Sequence, residues 1–402
     1  MTRIGTRTGL DRLLADPSRL AGRRYGLLAH GASLTRDVRP IHRALAASPA
    51  GPPRLLFGPE HGYYGIEQDM IAAEGGRDPW TGVPVVSLYG DSEQSLKPCP
   101  GAFAGLDLLV IDLQDVGARY YTYAATAVWA AEAAFAAGCE VWVLDRPNPL
   151  GGTIEGNRPA PGYESFVSAF LLPARHGLTL GELVKLEARR RGWTGTLEVW
   201  EMEGWHGSTP WEETGLPWIA PSPNMPTREA ALIYPGGCLV EATELSEGRG
   251  TTRPFQLTGA PGIDPVALAD RLNGQGLPGI VFLPTYFRPQ FQKHRGQVCG
   301  GVELVVTDSR ALRPYRTGVE LLWAVRQVAP QAFAWREAPY EFVIDRPAID
   351  LLTGGPDCRD AIDGGRRDLL DDWIASWSDD ELRFGEEYED VLLYPSDSGA
   401  GA

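Results

Sequence analysis

Cysteine is scarce in this 402-residue chain: Cys99, Cys139, Cys238, Cys299 and Cys358 stand far apart, with no CxxC pair. An odd, dispersed set gives no support to a disulfide framework or a zinc site and reads as small buried hydrophobes. No apolar run is long enough to span a bilayer. No apolar stretch follows the charged start Met1–Arg7, so no secretory signal is visible and the expected location is the cytoplasm. No basic run offsets the net charge of -15, which argues against a nucleic-acid partner. Gly31 stands alone after the first expected strand, so there is no G-x-G-x-x-G, and no G-x-x-x-x-G-K-[ST] occurs. Neither a dinucleotide nor a nucleoside triphosphate is expected, and no cofactor is assigned. The six histidines show no H-x-H or H-E-x-x-H spacing, and no G-x-S-x-G elbow is present. Glu60, His61, Asp112 and Asp115 could meet in space around a metal, but the expectation is no metal site.

What is present is a soluble globular composition, 43% apolar and 22% charged, in a length that suits two domains. Short apolar runs alternate with helical stretches: Arg24–Ala29, Arg54–Phe57, Val83–Leu88, Leu108–Leu113 and Glu140–Leu144 read as strands. The alanine-rich Tyr123–Ala137 reads as a helix. Such runs suit strands buried on both faces, hence an α/β fold with a parallel sheet and crossover helices. Thr179-Leu180-Gly181-Glu182 fits a capping box opening a helix over Leu183–Arg191, and the strand Thr196–Met202 follows. Pro210–Pro226 reads as a boundary, giving a first domain over 1–228 and a smaller α+β domain over 229–402. In the second, Asp264–Asn273, Tyr315–Val328 and Leu369–Ser376 read as helices, and Ile280–Pro284 and Gly301–Thr307 as strands. The last six or so residues are expected to be disordered.

Three of the apolar strands deliver polar groups at their C-terminal ends, where open α/β sheets bind ligands. Leu55-Leu56-Phe57 runs into Gly58-Pro59-Glu60-His61-Gly62. A carboxylic acid in a half-buried loop has a raised pKa where desolvation dominates, which suits a general acid. Glu60 is therefore the first catalytic candidate, with His61 as its positioning or substrate-binding neighbour. Capping or pairing with an arginine is the bland alternative. The second strand end, Asp112–Tyr123, crowds Asp112, Gln114, Asp115, Arg119 and three tyrosines including Tyr120. One carboxylate is expected to cap the helix or pair with Arg119, while another faces the cleft. The third, Asp145-Arg146-Pro147-Asn148-Pro149, is read equally as a substrate contact or a structural ion pair.

In the second unit, Glu241–Phe255 gathers Glu244, Glu247, Arg249 and Arg253 among glycines and hydroxyls. Arginine's planar fork suits a substrate carboxylate. Pro221–Pro226 adds a rigid rim with the amide of Asn224. Carboxylates, amides, arginines and aromatic faces fit a carbohydrate substrate, whose hydrolysis commonly uses two carboxylates.

These motifs, together with Ser87-Leu88-Tyr89-Gly90, Leu144–Gly152, His176-Gly177-Leu178-Thr179, Leu245–Pro254, Phe342–Leu352 and Leu392-Leu393-Tyr394, carry a resemblance over nearly the whole chain. The sequence resembles the family of exo-acting β-N-acetylmuramidases, long classed as a domain of unknown function. The resemblance implies a Rossmann-like N-terminal domain, a smaller C-terminal domain and a cleft between them. It implies release of N-acetylmuramic acid from the non-reducing end of peptidoglycan fragments, with no membrane partner. The glutamate of the family's G-P-E-H-G motif corresponds to Glu60, and Tyr120, Asp145, Asn148 and His176 join the candidate substrate contacts.

Where relatives commonly read phenylalanine then arginine after E-H-G, this chain has Tyr63-Tyr64, leaving Arg119, Arg249 or Arg253 to compensate. With no export signal visible, imported fragments in a recycling pathway are the expected substrates. In the mechanism expected, Glu60 is the general acid. Either Asp115 or Asp112 orients the substrate's 2-acetamido group as internal nucleophile, or Glu244 or Glu247 is a second carboxylate. Arg249 or Arg253 binds the lactyl carboxylate. The alternatives are a metal-dependent hydrolase of another small substrate and a non-catalytic muropeptide- or sugar-binding protein.

Overall fold

Seven strands build the main sheet: β1 (Tyr25–Ala29), β2 (Leu55–Gly58), β3 (Gly76–Arg77), β4 (Pro84–Ser87), β5 (Leu108–Asp112), β6 (Glu140–Leu144) and β7 (Leu197–Trp200). The computed structural model describes residues 5–68, 71, 75–90 and 92–394. The tail expected to be disordered lies outside the described residues. The spatial order is β3-β4-β2-β1-β5-β6-β7, and every pairing is parallel except the short β3 on β4. Leaving out β3, this is the 3-2-1-4-5-6 order of the doubly wound Rossmann-like fold.

Alternation along the strands explains why they read as unbroken apolar runs. Leu27, Leu56, Val110 and Trp142 enter one apolar cluster, while their neighbours Leu28, Phe57, Ile111 and Val143 enter the other. Both faces are covered, and each such side chain contributes about 1.5–3 kcal/mol on burial. The alanine-rich helix Tyr123–Ala136 is buried along nearly its whole length. The box of Thr179 and Glu182 is formed in both directions, at 3.2 and 2.8 Å. Its helix starts at Leu180, three residues before the expected Leu183, because the cap itself precedes the first helical residue.

The second unit holds an antiparallel sheet of β8 (Leu257–Ala260), β9 (Ile280–Phe287) and β10 (Cys299–Val306), ordered β8-β10-β9. The helix Pro265–Asn273 packs on β9 and β10. Several elements escaped the sequence reading. The helix Gly9–Ala15 is too short for a periodic signal, and Arg228–Gly237 contains Pro235 and ends in two glycines, which read as breakers. The last helix runs over Arg367–Tyr388, well beyond Leu369–Ser376. The chain then returns to the first unit, where Tyr394 donates its hydroxyl to Asp145 Oδ2 at 2.8 Å. No helix among the described residues is long and apolar enough to cross a membrane.

Candidate active site

The sheet changes direction at β1, flanked by β2 and β5, and the loops leaving those two strands meet above it. A Cβ on Gly58 would collide with the amide of Tyr63, so only glycine lets the chain fold back on itself there. The return is closed by Gly62 N–H on Pro59 O at 3.0 Å. It places His61 at φ +69°, a costly conformation for a side chain with a Cβ. His61 Nδ1 donates to Glu67 O at 2.9 Å, which directs Nε2 away from that carbonyl. From the β5 loop, Thr122 starts a helix without capping it. Its hydroxyl instead donates to Glu60 Oε2 at 2.6 Å. Glu60 is only 4% exposed.

A third wall is set by His30, at the end of β1. Its Nε2 accepts from Gln114 N–H at 2.9 Å, so the proton sits on Nδ1 and is donated to Pro221 O at 3.0 Å. Burial pushes its pKa down to about 3, so it stays neutral. The Tyr123 hydroxyl donates to the same carbonyl at 2.7 Å. Together they fix the loop that brings Ser222, Asn224 and Met225 to the cleft.

The opposite side comes from the second unit. Arg249 Nη1 meets Glu241 Oε1 at 2.8 Å and Glu247 Oε1 at 3.4 Å, and its guanidinium lies 5.1 Å from the centre of the Phe255 ring. Tyr340 donates to Glu241 Oε2 at 2.8 Å. Glu341 accepts from the Tyr89 hydroxyl at 3.5 Å, joining the two units. Phe255 and Glu341 have φ of +62° and +44°, so three strained non-glycine residues line one cleft. The cleft is tight, about 40 Å³, with Glu60 and His61 facing Glu241, Arg249 and Glu341. Among the described residues, no three His, Cys, Asp or Glu side chains come together to hold a metal.

Residues 25–229 match the N-terminal domain of exo-β-N-acetylmuramidase NamZ, and residues 232–394 its C-terminal domain. The chain belongs to the exo-β-N-acetylmuramidase family. It is 38% identical over 389 residues to the peptidoglycan β-N-acetylmuramidase NamZ of Bacillus subtilis (strain 168), covering 96% of this chain and 91% of that one. Crystal structures of two DUF1343 family proteins from Bacteroides fragilis share its fold. One has a TM-score of 0.85 and 31% identity, covering 98% of this chain and all of the other. The second has a TM-score of 0.75 and 26% identity, covering 98% and 99%. Membership makes the chain an enzyme of the glycosidase class.

Within this family frame, the candidates read from the sequence divide sharply. Glu60, His61, Tyr120, Asn224 and Arg249 line the cleft. Tyr120 also donates its hydroxyl to Pro235 O, and Asn224 donates to Gln68 Oε1 at 3.1 Å. The rest do not line it. Asp112 is fully buried and gripped by Arg146, with Nη2 on Oδ2 at 2.8 Å. Gln114 donates to the carbonyls of Asp115 and Pro147 at 2.8 and 2.9 Å. Arg119 donates to the carbonyls of Asn157, Leu172 and Leu352 at 2.6–2.8 Å, a buried clamp between segments. Asp145 accepts from Thr179, Gly181 and Tyr394, and burial pushes its pKa up to about 6 despite them. Asn148 satisfies Leu178 O and Leu150 N, both at 2.9 Å.

Asp115 is a closer case. Its Oδ2 accepts from Gly117 N–H at 2.7 Å, with His176 Nε2 at 3.7 Å, while Oδ1 has no hydrogen-bond partner among the described residues. His176 is 1% exposed and accepts from Leu178 N–H at 3.2 Å. In the second unit, Glu244 is exposed. Glu247 is buried, which raises its pKa, but Lys293 at 3.0 Å and Arg249 outweigh burial and hold it below the usual range. Arg253 pairs with Glu303 away from the cleft. Tyr63 and Tyr64 are occupied by His42 and Asp78, at 2.9 and 2.6 Å.

Sequence reasoning missed Thr122, Glu241, Tyr340 and Glu341. Thr122 and Glu241 lie inside stretches already marked by their polar density. Tyr340-Glu341-Phe342 carries no local signal beyond an acid between two aromatics.

Proposed function

We propose that this chain is an exo-β-N-acetylmuramidase acting on peptidoglycan-derived glycan, with Glu60 as its proton donor. The observation that carries the reading is Glu60 itself. It is a buried carboxyl at the switch point of the sheet, fixed through Oε2 by Thr122, in a cleft lined also by Glu241, Arg249 and Glu341. With Thr122 on Oε2, the proton to be given resides on Oε1. Glu60 passes it to the bridging oxygen as the C1–O bond breaks and the bonding pair moves to that oxygen. The acetamido carbonyl oxygen of the same sugar bonds to C1, the substrate-assisted route. Water then adds at C1 as the bond from C1 to the acetamido oxygen breaks and its electron pair returns to that oxygen, and a proton of the water returns to Glu60.

In this reading two lining carboxylates take part beside Glu60. Glu341 takes the acetamido N–H in place of Asp112 or Asp115. Glu241 holds Arg249 for the lactyl carboxylate, and on the substrate-assisted route no second carboxylate at Glu244 or Glu247 is needed. Arg249 alone among the described lining residues carries a permanent positive charge. The Bacillus subtilis relative is a peptidoglycan β-N-acetylmuramidase, which supports the substrate class. The test is to incubate the protein with a muramic-acid–glucosamine disaccharide and with a chain labelled at its reducing end. Free N-acetylmuramic acid from both, with no internal fragments, supports the reading. Internal fragments or intact substrate overturn it.

A further inference from the structure

The β9–β10 hairpin is unlike the rest of the molecule in charge. Residues 271–302 contain no Asp or Glu, in a chain whose net charge is -15. The turn between the strands carries Arg288, Lys293 and Arg295. Arg288 and Arg295 are exposed and enter no ion pair among the described residues. Phe291 stands between them, 42% exposed. Two exposed arginines and an exposed ring on one turn make a surface suited to a planar, anionic, partly apolar ligand.

This turn is anchored to the loop that forms the cleft. Gln290 N–H donates to Gly250 O at 2.8 Å. Gly250 has φ +79°, and a Cβ there would strike Phe291 O, so glycine is what allows the two backbones to touch. Lys293 reaches under the loop to Glu247 Oε2 at 3.0 Å and Leu245 O at 3.1 Å. His294 Nε2 bonds Glu244 O at 2.8 Å. Gln292 and His294 hold φ of +65° and +58°, so the turn is pinned in a costly conformation. Lys293 and His294 are therefore anchors. Arg288, Phe291 and Arg295 are left exposed on the turn whose Gln290 contacts Gly250, the residue after Arg249.

We propose that Arg288, Phe291 and Arg295 form an outer subsite for the part of the glycan that continues out of the cleft. The inference rests on the muramidase reading. A cleft of about 40 Å³ cannot contain a long chain. In an alternating glycan the sugar beyond the leaving glucosamine is another muramic acid, whose lactyl carboxylate matches the paired arginines, while its pyranose face stacks on Phe291. Such a subsite favours chains over the disaccharide without touching the bond that breaks.

The experiment compares the wild type with Arg288→Ser/Phe291→Ser/Arg295→Ser on the muramic-acid–glucosamine disaccharide and on the corresponding tetrasaccharide. Expected is a rise in KM of roughly tenfold for the tetrasaccharide, with disaccharide KM and kcat unchanged. Raised salt should reproduce part of the tetrasaccharide effect in the wild type. As a readout free of turnover, calorimetry on the Glu60→Gln background should show the same loss of tetrasaccharide affinity. Equal behaviour of the triple variant and wild type on both substrates overturns the subsite, as does a parallel loss on both. Wild type that cleaves neither substrate overturns the muramidase reading itself, and the subsite with it.

Discussion

Replacing Glu60 by glutamine keeps the shape of the side chain and removes its transferable proton. The Thr122 hydroxyl, 2.6 Å from Glu60 Oε2, can donate equally to an amide oxygen. The stability cost should therefore stay within about 1 kcal/mol. Loss of general acid catalysis removes roughly 100- to 10,000-fold of rate, or about 2.7–5.4 kcal/mol of barrier. The size of that loss depends on how much the leaving group needs a proton. The glucosamine of a muramic-acid–glucosamine disaccharide leaves as a strongly basic alkoxide unless protonated, so Glu60→Gln should show the full loss in kcat on that substrate. An aryl muramide with a weakly basic phenolate leaves without help, so the loss there should be less than about tenfold. The assay measures release of glucosamine and of the phenol side by side, with thermal unfolding as the control for folding. Equal losses on the two substrates refute the assignment, because Glu60 would then act in binding or in the fold.

Three further outcomes are expected. Arg249→Met should weaken turnover of substrates ending in muramic acid by about 10- to 150-fold, the worth of a charge-assisted hydrogen bond, and leave glucosamine-ended analogues nearly unchanged; matched losses would dissociate Arg249 from the lactyl group. Arg119→Met leaves three buried carbonyls without their donor and should cost about 3 kcal/mol or more in urea denaturation, whereas a change under about 1 kcal/mol contradicts the clamp. Asp145 and Glu182 are raised by burial from 3.8 and 4.5 to about 6 and about 7. The folded state thus binds their protons more tightly than the unfolded state, so this contribution to stability is complete below about pH 4 and is lost as pH rises towards 7. Asp145→Asn should flatten the fall of Tm between pH 4.5 and 7 (about the span of these shifts), and an unchanged slope counts against it.

Much of the first domain could be read from its residues because each strand is buried on both faces. Leu108–Asp112 shows as an unbroken apolar run, and the box at Thr179 and Glu182 announces a helix start locally. The place of Glu60 in the cleft was legible from its position at the end of an apolar strand, between glycines. What local pattern could not supply was the destination of each polar side chain. Asp112, Arg119 and Asp145 sit in stretches as dense as that of Glu60, yet tertiary contacts turn them inward to Arg146, to three carbonyls and to a helix start. Glu341 is the reverse case, ordinary in sequence and brought opposite Glu60 only when the second unit closes over the first. Burial and strand-end position are encoded along a few neighbouring residues, whereas the partner that satisfies a carboxylate lies 34 to 249 positions away for Asp112 and Asp145 and is fixed only by folding.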